Sequence, residues 1–157
     1  MKEENCIFCK IALRQEKAHI VWEDEKHVAF LSIFPNTKGF TVVITKDHFP
    51  SYNFDLPDKV LCDLTVASKT VSKLLDKSFE DVGRTGMMME GFGVDHVHTK
   101  LFPMHGTGDL KNWKPIHSNN KKYFDTYEGY ISSHDFERAN DKELAMVAEL
   151  IRKNNIA

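Results

Sequence analysis

No run of apolar residues approaches the length needed to cross a membrane, and the opening stretch MKEENCIFCK has no apolar core of the signal-peptide kind. The expected location is therefore the cytoplasm, with no membrane partner. Charge of either sign is not in excess: 21 Lys and Arg stand against 23 Asp and Glu, a net of -2. That balance argues against bulk binding of nucleic acid, while leaving room for a local basic patch around a phosphate. Cysteine is scarce. Three residues, an odd number, do not make a disulfide framework, and two of them form a C-x-x-C at Cys6 and Cys9. Internal repeats and low-complexity segments are missing too. What remains is 157 residues, 41% hydrophobic and 28% charged, the size and composition of one domain with its own core.

The apolar pattern changes period along the chain. HIVWED (19–24), HVAFLSI (27–33) and FTVVIT (40–45) are rich in β-branched and aromatic residues and are separated by short turn signals, EK and PNTKG. They predict three strands in an antiparallel meander. From Val60 the apolar residues run Val60, Leu64, Ala67, Val71, Leu74, which is one face of a helix, with Pro57 and Asp58 suited to its start. Cys62 lies beside that stripe and reads as a small packing residue. RTGMMMEG (84–91) and HVHTKLF (96–102) predict two more strands, the first a buried one carrying the Met triplet. The pattern from 106 to about 130 is irregular. NDKELAMVAELIRKN (140–154) closes the chain as a helix, capped by Asn140 or Asp141. The expected class is α+β: about five antiparallel strands with a long helix packed on them. The expected division is 1–105 for the nucleotide-binding, catalytic part and 106–157 for a C-terminal extension packed on it.

In a strand over 96–102, His96, His98, Lys100 and Phe102 share one face, while Val97, Thr99 and Leu101 share the other. Two imidazoles and an ammonium in a row can address successive groups of one extended anion. The alternative is a solvated sheet face. Gly91 and Gly93 just upstream let the backbone come close to a ligand and offer N–H groups to phosphate oxygens. Cys6 and Cys9 supply half of a tetrahedral zinc site, and His48 and His96 are available as the other half. An inert pair or a redox pair are the alternatives, the latter expecting a helix N-terminus in a βαβ context.

CIFCKI, VWEDEKHVAFLSIFPNTKGFTVVITKDH and HVHTKLFP, in that order and spacing over roughly residues 5 to 105, resemble the histidine triad (HIT) nucleotide hydrolases and transferases. The resemblance implies hydrolysis or transfer at the α-phosphate of dinucleoside polyphosphates or nucleoside phosphoramidates. His98 would be the nucleophile, carrying the nucleotidyl group covalently, with His96 and Lys100 beside it. It also implies a structural zinc on Cys6, Cys9, His48 and His96, no organic cofactor, a purine nucleotide as ligand and a homodimer. Substrate contacts fall to Ser32, Phe34, Gly91 and Gly93. The sequence departs from the family pattern in four places. Lys100 replaces the third histidine. Ser32 stands where most relatives have an acid that grips the ribose. Phe40 replaces a histidine, and Gly93 a polar residue in a shortened loop. Trp113 could cover a base, and Lys111, Lys114, Lys121 and Lys122 could reach a polyphosphate, although a solubilising loop is the default for the lysines. His19, His27, His105, His117 and His134 read as surface or structural.

Overall fold

The computed structural model describes residues 3, 5–109, 112–117, 123–129 and 137–155. Five antiparallel strands form one sheet in the order β1-β2-β3-β5-β4: β1 (Ile20–Glu23), β2 (His27–Leu31), β3 (Thr41–Thr45), β4 (Val82–Met88) and β5 (His98–His105). β1 to β3 are the expected meander, with Leu31 opposite Thr41 and His27 opposite Thr45. β2 and β3 are buried at every position, which is why their sequences run almost without polar interruption. The chain then crosses one face as α2 (Asp58–Ser78), returns as the edge strand β4, and places β5 between β3 and β4.

The two faces of the sheet differ in what covers them. α2 and the closing helix α3 (Asp141–Lys153) bury Leu64, Val71, Leu75, Leu144 and Ile151 against Val43, Val97 and Leu101 on one face. The other face carries Phe30, Phe40, Val42 and Ile44 and receives Phe8, Ile11 and Ala12 of the short α1 (Ile7–Ala12). The longer helices thus close one side, and the other keeps an opening beside β5. α3 starts as expected, with the Asn140 side chain accepting from the Lys142 N–H at 2.8 Å. No helix of the described residues is long and apolar enough to span a bilayer.

Three sequence expectations are corrected. Cys62 lies on the solvent face of α2 and is exposed, because the buried stripe runs through Leu64, Ala67 and Val71 instead. The Met triplet is not in a buried strand: β4 is an edge, and Met87 is 51% exposed. His96 precedes β5 instead of belonging to it, so the row of functional side chains spans a loop end and a strand.

Candidate functional site

The C-x-x-C turn folds into the start of α1, with Cys6 at the residue before its first turn and Cys9 one turn further on. Both thiols are buried, and His96 enters between them: its Nδ1 lies 3.4 Å from Cys6 Sγ and 3.6 Å from Cys9 Sγ. His48 Nδ1 lies 3.6 Å from Cys9 Sγ. The four donor atoms all fall within 4.8 Å of one another. A tetrahedral zinc ion spaces its sulfur and nitrogen ligands by roughly 3.5 Å, so this donor set and spacing suit one. The outer contacts turn the rings the right way. His96 Nε2 donates to the Thr45 carbonyl at 2.9 Å, and His48 Nε2 meets a Glu3 carboxylate oxygen at 3.0 Å, leaving each Nδ1 aimed at the sulfurs. Burial pushes the His96 imidazole down to about 4, so the ring is neutral and its lone pair available at neutral pH. The sheet has no parallel pair, so the setting a redox C-x-x-C would need is not formed.

Two residues on, His98 opens β5. Its Nδ1 is 2.7 Å from the His96 carbonyl oxygen. A carbonyl only accepts, so Nδ1 carries the proton and Nε2 keeps its lone pair. His98 is buried, and Phe8 stands edge-on to its ring at 5.3 Å. Burial, and then the charge of Lys100, hold the imidazole below its ordinary range, against the pull of the His96 hydrogen bond and Glu90. The ring is therefore neutral at physiological pH. His98 lines a cavity of about 420 Å³ together with Phe8, Phe30, Phe92, Gly93 and Lys100.

Lys100 shares that face, but its ammonium is paired with the carboxylate of Glu90, and both side chains are largely buried. Glu90 is also met by the Tyr127 hydroxyl, 3.4 Å from its second oxygen. The pairing follows from register. Met88, the last residue of β4, stands opposite Lys100, and Glu90, two residues beyond it, meets the same lysine. Reading the sequence as separate motifs missed Glu90; the alternation carried across both strands would have found it.

At the far end of the cavity are Ser32 and Phe34, with the Ser32 hydroxyl oxygen accepting from the Phe34 N–H at 3.2 Å. Ile7, Ile11 and Phe30 add apolar wall to the cavity, and no sequence motif marks them for it. The two glycines divide. Both have positive φ, but a side chain at Gly91 would press on the Ser51 carbonyl at 3.1 Å, whereas one at Gly93 would meet nothing. Gly93 lines the cavity and Gly91 serves the packing of the loop. Phe40 is buried against Phe102, at 4.6 Å between rings, and lines the cavity from the approach to β3.

Several candidates stand elsewhere. Trp113 is exposed and does not line the cavity, and Lys114 and His117 are exposed as well. Lys111, Lys121, Lys122 and His134 lie outside the described residues. His19, His27 and His105 have structural carboxylate partners in Asp141, Asp24 and Asp81, each near 3.0 Å. A second cavity of about 530 Å³ opens on the other side of Ser32, between the loop after β2 and α3. Its wall is mostly apolar, including Leu144, Met146 and Leu150, and it contains no histidine or cysteine.

Comparison with known proteins shows the family and the fold. An uncharacterized HIT-like protein of Methanocaldococcus jannaschii is 36% identical over 110 residues, covering 67% of this chain and 84% of the relative. The adenosine 5'-monophosphoramidase hnt1 of Schizosaccharomyces pombe is 32% identical over 100 residues, covering 63% of this chain and 74% of the relative. A zinc-bound histidine triad family protein of Mycobacterium smegmatis superposes with a TM-score of 0.70 at 19% identity, over 96% of this chain and 92% of that one. The HIT domain profile matches residues 14–107, which take in β1 to β5 and leave Cys6 and Cys9 just outside. On that match the chain belongs to the HIT family.

Proposed function

We propose that the protein is a nucleotide hydrolase or nucleotidyltransferase acting at the α-phosphate, with His98 as nucleophile and a purine nucleotide as ligand. The observation that carries the reading is the His98 ring itself: protonated on Nδ1 by its bond to the His96 carbonyl, neutral, and set in the wall of a cavity. Family membership and the activity named for the fission-yeast relative support it.

In the first step Nε2 of His98 forms a bond to phosphorus as the bond to the departing group breaks. The departing oxygen or nitrogen keeps the electron pair. A departing nitrogen also takes up a proton, for which the Lys100 ammonium or solvent is the source. The His96 carbonyl, accepting from Nδ1, stabilises the positive charge that develops on the ring. In the second step water adds its oxygen to phosphorus and gives up a proton to solvent, the P–N bond breaks with its electron pair returning to the imidazole, and the mononucleotide leaves. Backbone N–H groups around Gly93 and the Lys100 charge face the oxygens on phosphorus. Holding the phosphate in line with Nε2 supplies much of the acceleration.

Zinc held by Cys6, Cys9, His48 and His96 would act as a cross-link between α1, the loop after β3 and the entry to β5, with all four positions filled by protein. It would stabilise the platform on which His98 stands. A homodimer and a cytoplasmic location complete the reading, and residues 106–157 are assigned to packing on the catalytic part.

Phosphorus NMR of turnover tests the mechanism, with adenosine and guanosine phosphoramidates and dinucleoside polyphosphates offered to wild type and to His98→Ala. Release of mononucleotide by wild type alone is the expected result. Equal activity in both would remove His98 from the chemistry. Binding without product in either would leave a nucleotide-binding module in place of an enzyme.

A further inference from the structure

Part of the wall of the His98 cavity is the loop between β4 and β5, which contributes Phe92, Gly93 and Val94. The loop is tied to the rest of the molecule on either side of these residues. Gly91 sits close to the Ser51 carbonyl, the Asp95 carboxylate accepts from the Ser51 N–H at 2.8 Å, and the Val97 N–H donates to the Phe49 carbonyl at 2.9 Å. Phe92 itself is 62% exposed, and Gly93 beside it has positive φ and open space where a side chain would stand. A large ring on so permissive a backbone keeps one position through what it packs on. Phe92 packs on Tyr127, with ring centroids 5.6 Å apart and planes at 22°. Tyr127 comes from the C-terminal extension, beyond the residues 14–107 of the domain profile, and does not line the cavity. Its hydroxyl also donates to Glu90 at 3.4 Å, and Glu90 pairs with Lys100 of the cavity wall. Of the two contacts the stack is the stronger. Its spacing falls in the favoured range for aromatic pairs, whereas the hydroxyl contact is long for a hydrogen bond.

We propose that Tyr127 is a positioning residue: its ring holds Phe92 in the wall of the His98 cavity, so that the C-terminal extension completes the surface that receives a nucleotide. The inference rests on the nucleotide ligand of the reading above and deepens it, giving the extension a task in the site besides packing. The physical reason is preorganisation. A ring and loop already held in place need no ordering when the ligand arrives, whereas a loose side chain must be immobilised at the expense of affinity. Tyr127 therefore acts on binding through Phe92, without touching the ligand.

The experiment is isothermal titration calorimetry with AMP as the probe, with Tm measured beside each Kd. Tyr127→Ala should weaken AMP roughly three- to tenfold, the worth of an aromatic pair and an immobilised side chain. Tyr127→Phe keeps the ring and should stay within roughly twofold of wild type, a rescue by the conservative variant. In a Phe92→Ala background Tyr127→Ala should have no further effect on Kd, because Tyr127 works through Phe92. Tyr127 is itself exposed, so these variants are expected to fold. A lower Tm with unchanged Kd, an equal loss in Tyr127→Phe, or losses that add in the double variant would each overturn the proposal. Hydrogen exchange of the ligand-free protein gives a second readout that needs no ligand. The amides of residues 92–94 should exchange faster in Tyr127→Ala and at the wild-type rate in Tyr127→Phe, and no change in the alanine variant overturns the proposal. The hydrolase reading fails separately: AMP binding that weakens as expected in Tyr127→Ala, with no product from any nucleotide, removes the enzyme and supports the positioning role. If wild type does not bind AMP, the positioning proposal is overturned.

Discussion

β5 presents two faces to two different environments. Val97, just before it, and Thr99 and Leu101 within it are wholly buried under α2 and α3, in a wall built from aliphatic side chains. His98, Lys100 and Phe102 point to the side that α1 only partly closes, where an imidazole and an ion pair meet a cavity. Residue spacing decides which side chain goes where, and the helices decide which face stays dry. One side of the strand is tuned for packing and the other for chemistry. The two should therefore respond to substitution in different ways.

The sharpest break would come from exchanging the roles. His98→Ala should lower turnover by on the order of a thousandfold or more, because the covalent route is removed, and turnover assays read this directly. Leu101→Ala should cost about 2–5 kcal/mol of stability in denaturant unfolding, while each folded molecule keeps most of its turnover. If the stability loss came with His98 and the catalytic loss with Leu101, the division between the faces would be wrong.

Next in size is the cluster that holds the open face to α1. Chelation of the zinc-loaded protein, or Cys9→Ala, should lower Tm by ten degrees or so, as expected when a ligand that binds only the folded state is removed. Differential scanning calorimetry with and without chelator measures it. Chelation should have no further effect on Cys9→Ala, and a large remaining drop there would detach the metal from these ligands.

The dry face has one flaw. The Thr99 hydroxyl is buried and makes no hydrogen bond among the described residues. Thr99→Val keeps the shape and removes the unsatisfied group, so stability should rise by roughly 1 kcal/mol in urea titrations. A loss of that size would mean that the hydroxyl has a bound water or another partner.

The smallest effect concerns the rim of the same face. The Asp141 carboxylate at the start of α3 is held down at about 2, first by its hydrogen bond with His19 and then by Arg138. A depressed carboxylate stabilises the fold above its unfolded value and loses that contribution as pH falls toward the folded one. Wild type should therefore exceed Asp141→Asn in Tm near pH 6, and the gap should shrink between about pH 4 and 2. A gap that widened on acidification would reverse the sign of this account.

The central strands and the two longer helices were legible because each local signal agreed with the tertiary role. Continuous β-branched runs marked β2 and β3, and the four-three spacing marked α2. The donor set Cys6, Cys9, His48 and His96 could also be named beforehand, since ligand chemistry limits the choice of residue types. Burial of edges was not legible: whether GMMM lies inside or at the rim depends on strand order, which periodicity does not encode. Glu90 escaped for a related reason. Its pairing with Lys100 depends on how the end of β4 meets β5 and not on any one motif. The apolar wall from Ile7 and Ile11 was hidden because these residues look like ordinary packing between and after the cysteines.

The strand order has a consequence for synthesis. β5 is last of the five along the chain, yet it sits inside the sheet, between β3 and β4. As the polypeptide emerges from the ribosome, β1 to β3 can pair at once, but β3 must wait with an open edge until α2, β4 and the loop after it have been made. Cys6 meets its His96 partner only 90 residues later. At a translation rate of about 5–20 residues per second that is a delay of several seconds or more. The nascent meander must meanwhile remain soluble with its growing edge bare. The segment that ends this exposure is the one that carries His98, so the chain becomes safe from mispairing and equipped for chemistry in the same event.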